Sequence, residues 1–400
     1  MTRPGREAAP LPQIPAVRLI PILALLAAFA PLAIDMYLSA FVEMAISLRS
    51  NDAGVAATLS IFLLGLSFGQ LIYGPLSDRF GRRKPLLAGT ILFCFASILC
   101  LLANDIVTFT LARLLQALGG SCGVVLGRAI VRDLYGETDL ARIFSTLSIV
   151  SMVAPIIAPS LGIGIIMIGG WRAIFVVLLF TGMISIAAIW FCLPETLPAS
   201  RRRTDLSIRS ILRVFTGLLT TRRFVFAALM TASASGILFS FITGSSNVFI
   251  THFGVSKPVY GMIFSSIVLA MIGGGQISRL TLRRLPSSTI LQFAFGVLLA
   301  ATLMLVITAR GDIAAIVLLL IVTIAAVGVI LPNGAALAIS ASGDHAGSAA
   351  SLLGVLQFGA GFVASTIIAL LQHNDAEPLA FVVLGFSIVG RMAFSILHRK

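Results

Sequence analysis

Long apolar runs alternate with short polar breaks along almost the whole chain. Two neighbouring runs read ATLSIFLLGLSFGQLIY (57–73) and LLAGTILFCFASILCLLA (86–103). Neither alternates apolar and polar positions with the period of two that a membrane strand would show over about 10 residues. A helix needs roughly 20 apolar residues to cross a bilayer. In lipid every backbone polar group must be satisfied internally, which leaves helices or a closed barrel. The pattern therefore predicts twelve membrane helices, at 19–42, 55–73, 85–103, 106–127, 143–168, 173–193, 224–250, 259–278, 288–308, 313–339, 346–371 and 378–397. The narrowest break, Asn104–Asp105, separates the third from the fourth. The expected fold is an all-α integral membrane protein.

Composition agrees with a lipid-solvated chain. It is 58% hydrophobic and 11% charged, where about 25% charged is typical of soluble domains. The net charge of +13 would suit nucleic acid, but its distribution argues otherwise. With the N-terminus taken as cytoplasmic, all but six of the 28 Lys and Arg fall in the tails or in loops on that side. Arg49, Arg172, Lys257 and Arg310 fall on the other side, and Arg113 and Arg391 lie within helices. This is the positive-inside asymmetry, and it puts both termini in the cytoplasm. The same charges can hold anionic lipid headgroups as a secondary role.

Residues 1–16 (MTRPGREAAPLPQIPA) read as a disordered cytoplasmic tail without a cleaved leader. The four cysteines lie in predicted spans without metal-ligand spacing and read as packing residues. The His residues, 252, 345, 373 and 398, stand at loops or ends, which leaves no membrane-embedded catalytic cluster. No phosphate-binding G-x-x-x-x-G-K-[ST] segment is present, so ATP drive is not encoded in this chain. No metal or cofactor is expected; a proton gradient is the expected drive, and the chain is not expected to be an enzyme.

The basic segment 194–223 carries seven Arg and divides the helices six and six. The expected organisation is the tail 1–16, a first half 17–195, a basic cytoplasmic linker 196–222 and a second half 223–400. Shifting the chain by 200 positions lays Gly74, Arg79, Arg83 and Lys84 on Gly274, Arg279, Arg283 and Arg284, while Asp78 falls on Ser278. Such repeats place a site near the bilayer midplane between the halves.

The stretch GPLSDRFGRRKPLL (74–87) packs Asp78, Arg79, Arg82, Arg83 and Lys84 into seven positions between two apolar runs. With Gly74, Leu76 and Gly81 it resembles the signature between helices 2 and 3 of the major facilitator superfamily. PLAIDMYLSAF (31–41), LARLLQALGGS (111–121), MVAPIIAPSLG (152–162), GWRAIFVVLLF (170–180) and LPETL (193–197) resemble its twelve-helix drug:proton antiporters, within them the bicyclomycin/chloramphenicol resistance (Bcr/CflA) branch. Ser39 stands where that branch usually has Pro, and Ala154-Pro155 replaces its Gly-Pro pair. The resemblance implies a monomeric, multi-pass protein of the inner (plasma) membrane, with small lipophilic or cationic compounds, protons and membrane lipids as partners. It also implies that Asp78 faces the start of helix 11, near 345–348, as a latch favouring the outward-open state. There a carboxylate would meet a helix dipole, worth up to about 1–2 kcal/mol.

Asp35 is the one acidic residue well inside an apolar run, which is by default a functional position. Arg113 lies at matching depth on helix 4, counted at about 1.5 Å per residue. Asp35 is expected to carry the coupling proton, or to compete for it with a cationic substrate, and Arg113 to tune its proton affinity; the alternative is a static ion pair. Tyr37, Leu38, Gln116, Gly120, Phe239, Asn247, Asn333 and Gln357 are candidate cavity residues, Gln116 equally well an interhelical hydrogen bond. Pro155, Pro159 and Gly162 suit either a kink at the interface of two moving halves or plain helix packing. The function expected is proton-coupled efflux of small molecules by alternating access. The alternatives are export of a single endogenous metabolite, or a receptor or scaffold without transport.

Overall fold

The computed structural model describes residues 16–135, 137–202, 208–371 and 375–398, and among these all regular structure is helical. The first chain half holds α1 (Ala16–Ala27), α2 (Phe29–Asp35), α3 (Phe41–Ser47), α4 (Asp52–Phe80), α5 (Arg83–Leu102), α6 (Ile106–Leu134), α7 (Glu137–Gly169) and α8 (Arg172–Cys192). A short helix, α9 (Ile208–Thr220), follows. The second half holds α10 (Arg222–Ser246), α11 (Lys257–Thr281), α12 (Ser287–Ile307), α13 (Ile313–Ser340), α14 (Ala346–Leu370) and α15 (Glu377–His398). Among the described residues, eleven helical stretches are long and apolar enough to cross a bilayer, and Val153–Gly169 within α7 is a shorter one. Ile168 (92% exposed) and Phe191 (82% exposed) stand on the outer surface, where lipid rather than water explains them.

Several helices run further than their apolar runs. The helix predicted to stop at residue 73 continues to Phe80, and the one predicted to stop at 127 continues to Leu134. The stretch 74–80 is thus helix, and the turn is confined to Gly81 and Arg82. The end of an apolar run marks the edge of the hydrocarbon, not the loss of helical hydrogen bonding. What ends α4 is Gly81, whose φ of +87° is a conformation other residues rarely adopt. The narrow break between α5 and α6 has a local cause as well. Asp105 Oδ1 accepts from Thr108 N at 2.8 Å and caps α6.

The first predicted span is the exception, because it is broken. α1, α2 and α3 are separated at Ala28 and by a 3₁₀ turn at Leu38–Ala40. Pro31 removes one backbone donor, and Tyr37 takes φ −95°, ψ −2°, closing a tight turn through Ala40 N to Tyr37 O at 2.9 Å.

Within the first half α4, α5 and α6 pack together, with α8 against α5; within the second, α10 packs on α13, α14 and α15, and α11 on α13. At the α11–α13 crossing a Cβ on Gly274 would sit 2.0 Å from Ala325 O, so these backbones meet without a side chain between them. The halves meet chiefly along α4–α14 and α7–α11. The end carrying the Gly81 turn and α9 is called the basic end, and the opposite one the far end.

Candidate functional site

The break in the first span puts Asp35 at the last residue of α2, 2% exposed, with Oδ1 lacking any hydrogen-bond partner. The turn after it is held from two sides. A Cβ on Gly162 of α7 would lie 2.0 Å from Met36 O, so only glycine admits this approach. From the other half, Ser246 Oγ donates to Leu38 O at 3.0 Å. Tyr260 on α11 shares a hydrogen bond with Ser245 Oγ at 3.0 Å and lies within electrostatic reach of the Asp35 carboxyl. Asp35 therefore sits where the two halves meet. A buried carboxyl without a donor is an expensive state that proteins seldom keep without a use.

Arg113 on α6 is fully buried. Its guanidinium does not pair with Asp35. Nη2 donates to Ala33 O at 2.8 Å, Nη1 to Gln116 Oε1 at 2.6 Å, and the group lies over the rings of Phe62 (4.0 Å) and Tyr37 (4.6 Å). The reason is the helix break. Ala33 is among the last four residues of α2, whose carbonyls lose their intrahelical partners, and a cation there also meets the negative end of the helix dipole. Gln116 in turn donates to Ser97 Oγ at 2.8 Å, so its amide is spent between helices rather than offered to a cavity. A Cβ on Gly120 would lie 3.2 Å from the Phe93 ring, which stacks on Phe29 at 4.4 Å; Gly120 makes room for that stack. Tyr37 and Leu38 are buried in the turn itself.

At the basic end the charges of 78–83 turn inward. Buried Arg82 lies between Asp78 (Nη1–Oδ1 2.7 Å) and Asp133 of α6 (Nε–Oδ2 2.7 Å), and also donates to Ser77 Oγ at 2.6 Å. Glu195, from LPETL, accepts from the backbone N of Arg82 at 2.7 Å and of Arg83 at 3.4 Å, capping α5. A Cβ on Gly81 would lie 2.2 Å from Glu195 Oε2. Arg83 Nη2 donates to Trp190 O at 2.5 Å and Arg79 lies over the ring of Phe80.

Asp78 thus ties helices of its own half, and no bond joins it to 345–348 among the described residues. Arg132 of α6 reaches that place instead, where a Cβ on Gly347 would lie 3.4 Å from its Nη1, and smaller contacts close the halves beside it. Ser67 Oγ donates to Val355 O at 3.0 Å, a Cβ on Gly354 would lie 2.9 Å from Gln70 Oε1, and one on Gly74 would lie 3.7 Å from Ser351 Oγ. Asp133 and Glu195 were not singled out from the sequence. Their signal was present for Glu195, in the LPETL segment, and for Asp133, which lies 200 positions before the candidate Asn333.

The second-half candidates do not gather at one place. Asn333 belongs to the basic end: Nδ2 donates to Ser278 Oγ at 2.7 Å and Oδ1 accepts from Ser287 Oγ at 3.1 Å. Phe239 packs against Phe358 (6.0 Å) and leaves no room for a Cβ on Gly361. Gln357 is half-buried on α14. Asn247 opens a single π-helical turn, Asn247–His252, that continues α10. Pro155 and Pro159 lie inside one continuous helix, α7. That helix meets α11 through Ser265 Oγ to Ile156 O at 2.9 Å, and through Gly261 beside Ile163. Lys257 and Glu43 form an ion pair across the halves at the far end.

The sequence profile described as Major Facilitator Superfamily matches residues 23–365. The chain is 34% identical over 389 residues to the "uncharacterized MFS-type transporter YdgK" of Bacillus subtilis, covering 95% of each. It is 31% identical over 381 residues to the "bicyclomycin resistance protein homolog" of Haemophilus influenzae, covering 94% of this chain and 95% of that one. Among solved structures it resembles a D-xylose-proton symporter, with TM-score 0.74 and 14% identity over 96% of this chain and 97% of the other. That likeness is one of fold.

Proposed function

The chain belongs to the major facilitator superfamily, whose members transport rather than catalyse, and it is a multi-pass membrane protein of the drug-resistance branch; from that premise we propose that it exports small, mostly apolar organic compounds in exchange for protons, by alternating access. Its two halves rock about the midplane, opening the cytoplasmic basic end and the outer far end in turn. The relative named for bicyclomycin resistance supports an efflux role.

The observation that carries the reading is Asp35. It is buried at the junction of the halves with an oxygen that no group in the described protein serves. Such an oxygen is satisfied by a proton or by a donor on a cationic substrate. When the halves part, Ser246 and Tyr260 move away, and the carboxyl exchanges one occupant for the other. Arg113 does not neutralise Asp35. It holds the end of α2 through Ala33 O, and so fixes where the carboxyl stands.

The test is proton flux in energised inside-out vesicles, challenged with a panel of lipophilic cations and phenicol-like compounds. Wild type should collapse the pH gradient on substrate addition, and Asp35→Asn at equal expression should not. Equal collapse in both would remove Asp35 from coupling. No collapse with any compound would turn the reading towards a single-metabolite exporter.

A further inference from the structure

The segment between the halves contains a helix that the transport reading leaves without a task. α9 lays Val214, Phe215 and Leu218 on an apolar cluster of the second half that includes Ala349, Leu352 and Leu353 of α14. Its other side is exposed and mixed: Leu212 (55%), Arg213 and Leu219 (49%). Arg222 and Arg223 follow directly and are also exposed. Exposed leucine beside exposed arginine, on a helix packed against membrane spans, is the makeup of an element lying in the bilayer interface.

The same end of the second half repeats this chemistry. The last turn of α11 and the link from it to α12 expose Arg279, Arg283 and Arg284 among Leu280, Leu282 and Leu285. Arg222 donates to Ile396 O, and none of these six arginines makes an ion pair among the described residues. From Ile208 onward the sequence offers only Asp312, Asp344, Asp375 and Glu377 as acids. Asp312, Asp375 and Glu377 lie at the far end, where Glu377 pairs with Arg310, and Asp344, between α13 and α14, is the one acid of this set at the basic end, against six arginines. In the first half buried Arg82 is met by Asp78 and Asp133, and Arg202 of the linker is met by Glu195, while Arg79, Arg83 and Lys84 make no ion pair among the described residues. The positive charge of the second half at this end is thus left over, and it stands beside apolar side chains at the membrane boundary.

We propose that α9 and, separately, the exposed α11–α12 segment are docking sites at the basic end for anionic phospholipid headgroups, and that lipid held on α9 steadies the basic end of α14. The arginines meet the phosphates, and Leu212, Leu219, Leu280, Leu282 and Leu285 enter the acyl boundary. The effect reaches the transport pathway because α14 carries α9 on one side and closes on α4 with another, through Ser351, Gly354 and Val355. Leaflet charge would then act on the basic-end closure through α9, independently of what is transported.

The experiment uses the full chain in nanodiscs of phosphatidylcholine with or without phosphatidylglycerol. Lipid retention is read by native mass spectrometry and amide exchange by hydrogen–deuterium labelling. Wild type should retain phosphatidylglycerol in preference to phosphatidylcholine, and phosphatidylglycerol should slow exchange over 208–220 and 346–353. Because one arginine near an anionic surface is worth about 1 kcal/mol, the preference should fall about fivefold per arginine removed. R213Q/R223Q and, separately, R283Q/R284Q on the exposed turn should both show this fall, while R213K/R223K keeps the preference. Equal preference in the Gln variants and wild type would overturn the proposal. So would equal losses in the Lys and Gln variants, or exchange in α14 that ignores the lipid.

Discussion

At the basic end of the first half, Arg82 stands between Asp78 and Asp133. At the same places in the second half, 200 positions on, stand Leu282, Ser278 and Asn333. Both sets tie helices of their half at the turn between its second and third spans. One does so with a buried cation and two carboxylates, the other with an amide held between two hydroxyls, Ser278 and Ser287. A neutral network is enough to hold such a turn. The charged one costs desolvation and is stable only while its partners stay in place, so its energy falls steeply when the geometry changes.

The sharpest way to break the comparison is to remove one member of each set. Arg82→Ala leaves the half-buried Asp133 and the partly exposed Asp78 without the buried cation they share, and should cost about 3 kcal/mol in unfolding of the detergent-solubilised protein. Leu282→Ala should cost much less. Removing the amide by Asn333→Leu strands two hydroxyls and should cost ~2 kcal/mol by the same assay. If Arg82→Ala proved no worse than Asn333→Leu, the charged set would be an ordinary tie.

The ties between the halves offer a gentler contrast. The far end has the Glu43–Lys257 ion pair, whereas at the basic end no ion pair joins the halves among the described residues. Both partners of the pair are partly exposed, so Lys257→Glu should shift the balance of conformations by only ~0.5 kcal/mol. Spin labels across the far-end mouth should report more open molecules, and adding Glu43→Lys should restore the distance distribution.

The smallest expected effect compares two helix starts. Asp105 caps α6, whereas Asp312, at the start of α13, makes no side-chain cap bond. Asp105→Ala should lower the melting temperature and Asp312→Ala should not. The backbone N–H of Thr108, and then its hydroxyl, hold the Asp105 carboxyl below its ordinary range. Its contribution is therefore complete at neutral pH and is lost as the pH falls through that lowered value. The melting difference between Asp105→Ala and wild type should shrink on acidification.

Much of this protein follows from local pattern. Apolar length placed the spans, because the hydrocarbon thickness sets how long a helix must be. Charge asymmetry marked one end of the bundle. The 74–87 stretch marked the link between the second and third spans, and Asp35 stood out because a carboxyl inside an apolar run needs a reason. Repetition at 200 positions linked Asp78 to Ser278. Partners were not legible, because pairing is decided between elements far apart in the chain. Arg113 was matched to Asp35 by depth, yet a break in the first span frees the Ala33 carbonyl, and a free helix end draws the guanidinium. Glu195 caps a helix that begins 112 residues earlier, and Asp133 meets Arg82 across 51. Each is one polar residue at a helix end or beside it, without periodicity to betray it. Only the packed bundle, where buried polar atoms must find a partner, decided that Arg82 would have two carboxylates and the Asp35 oxygen none.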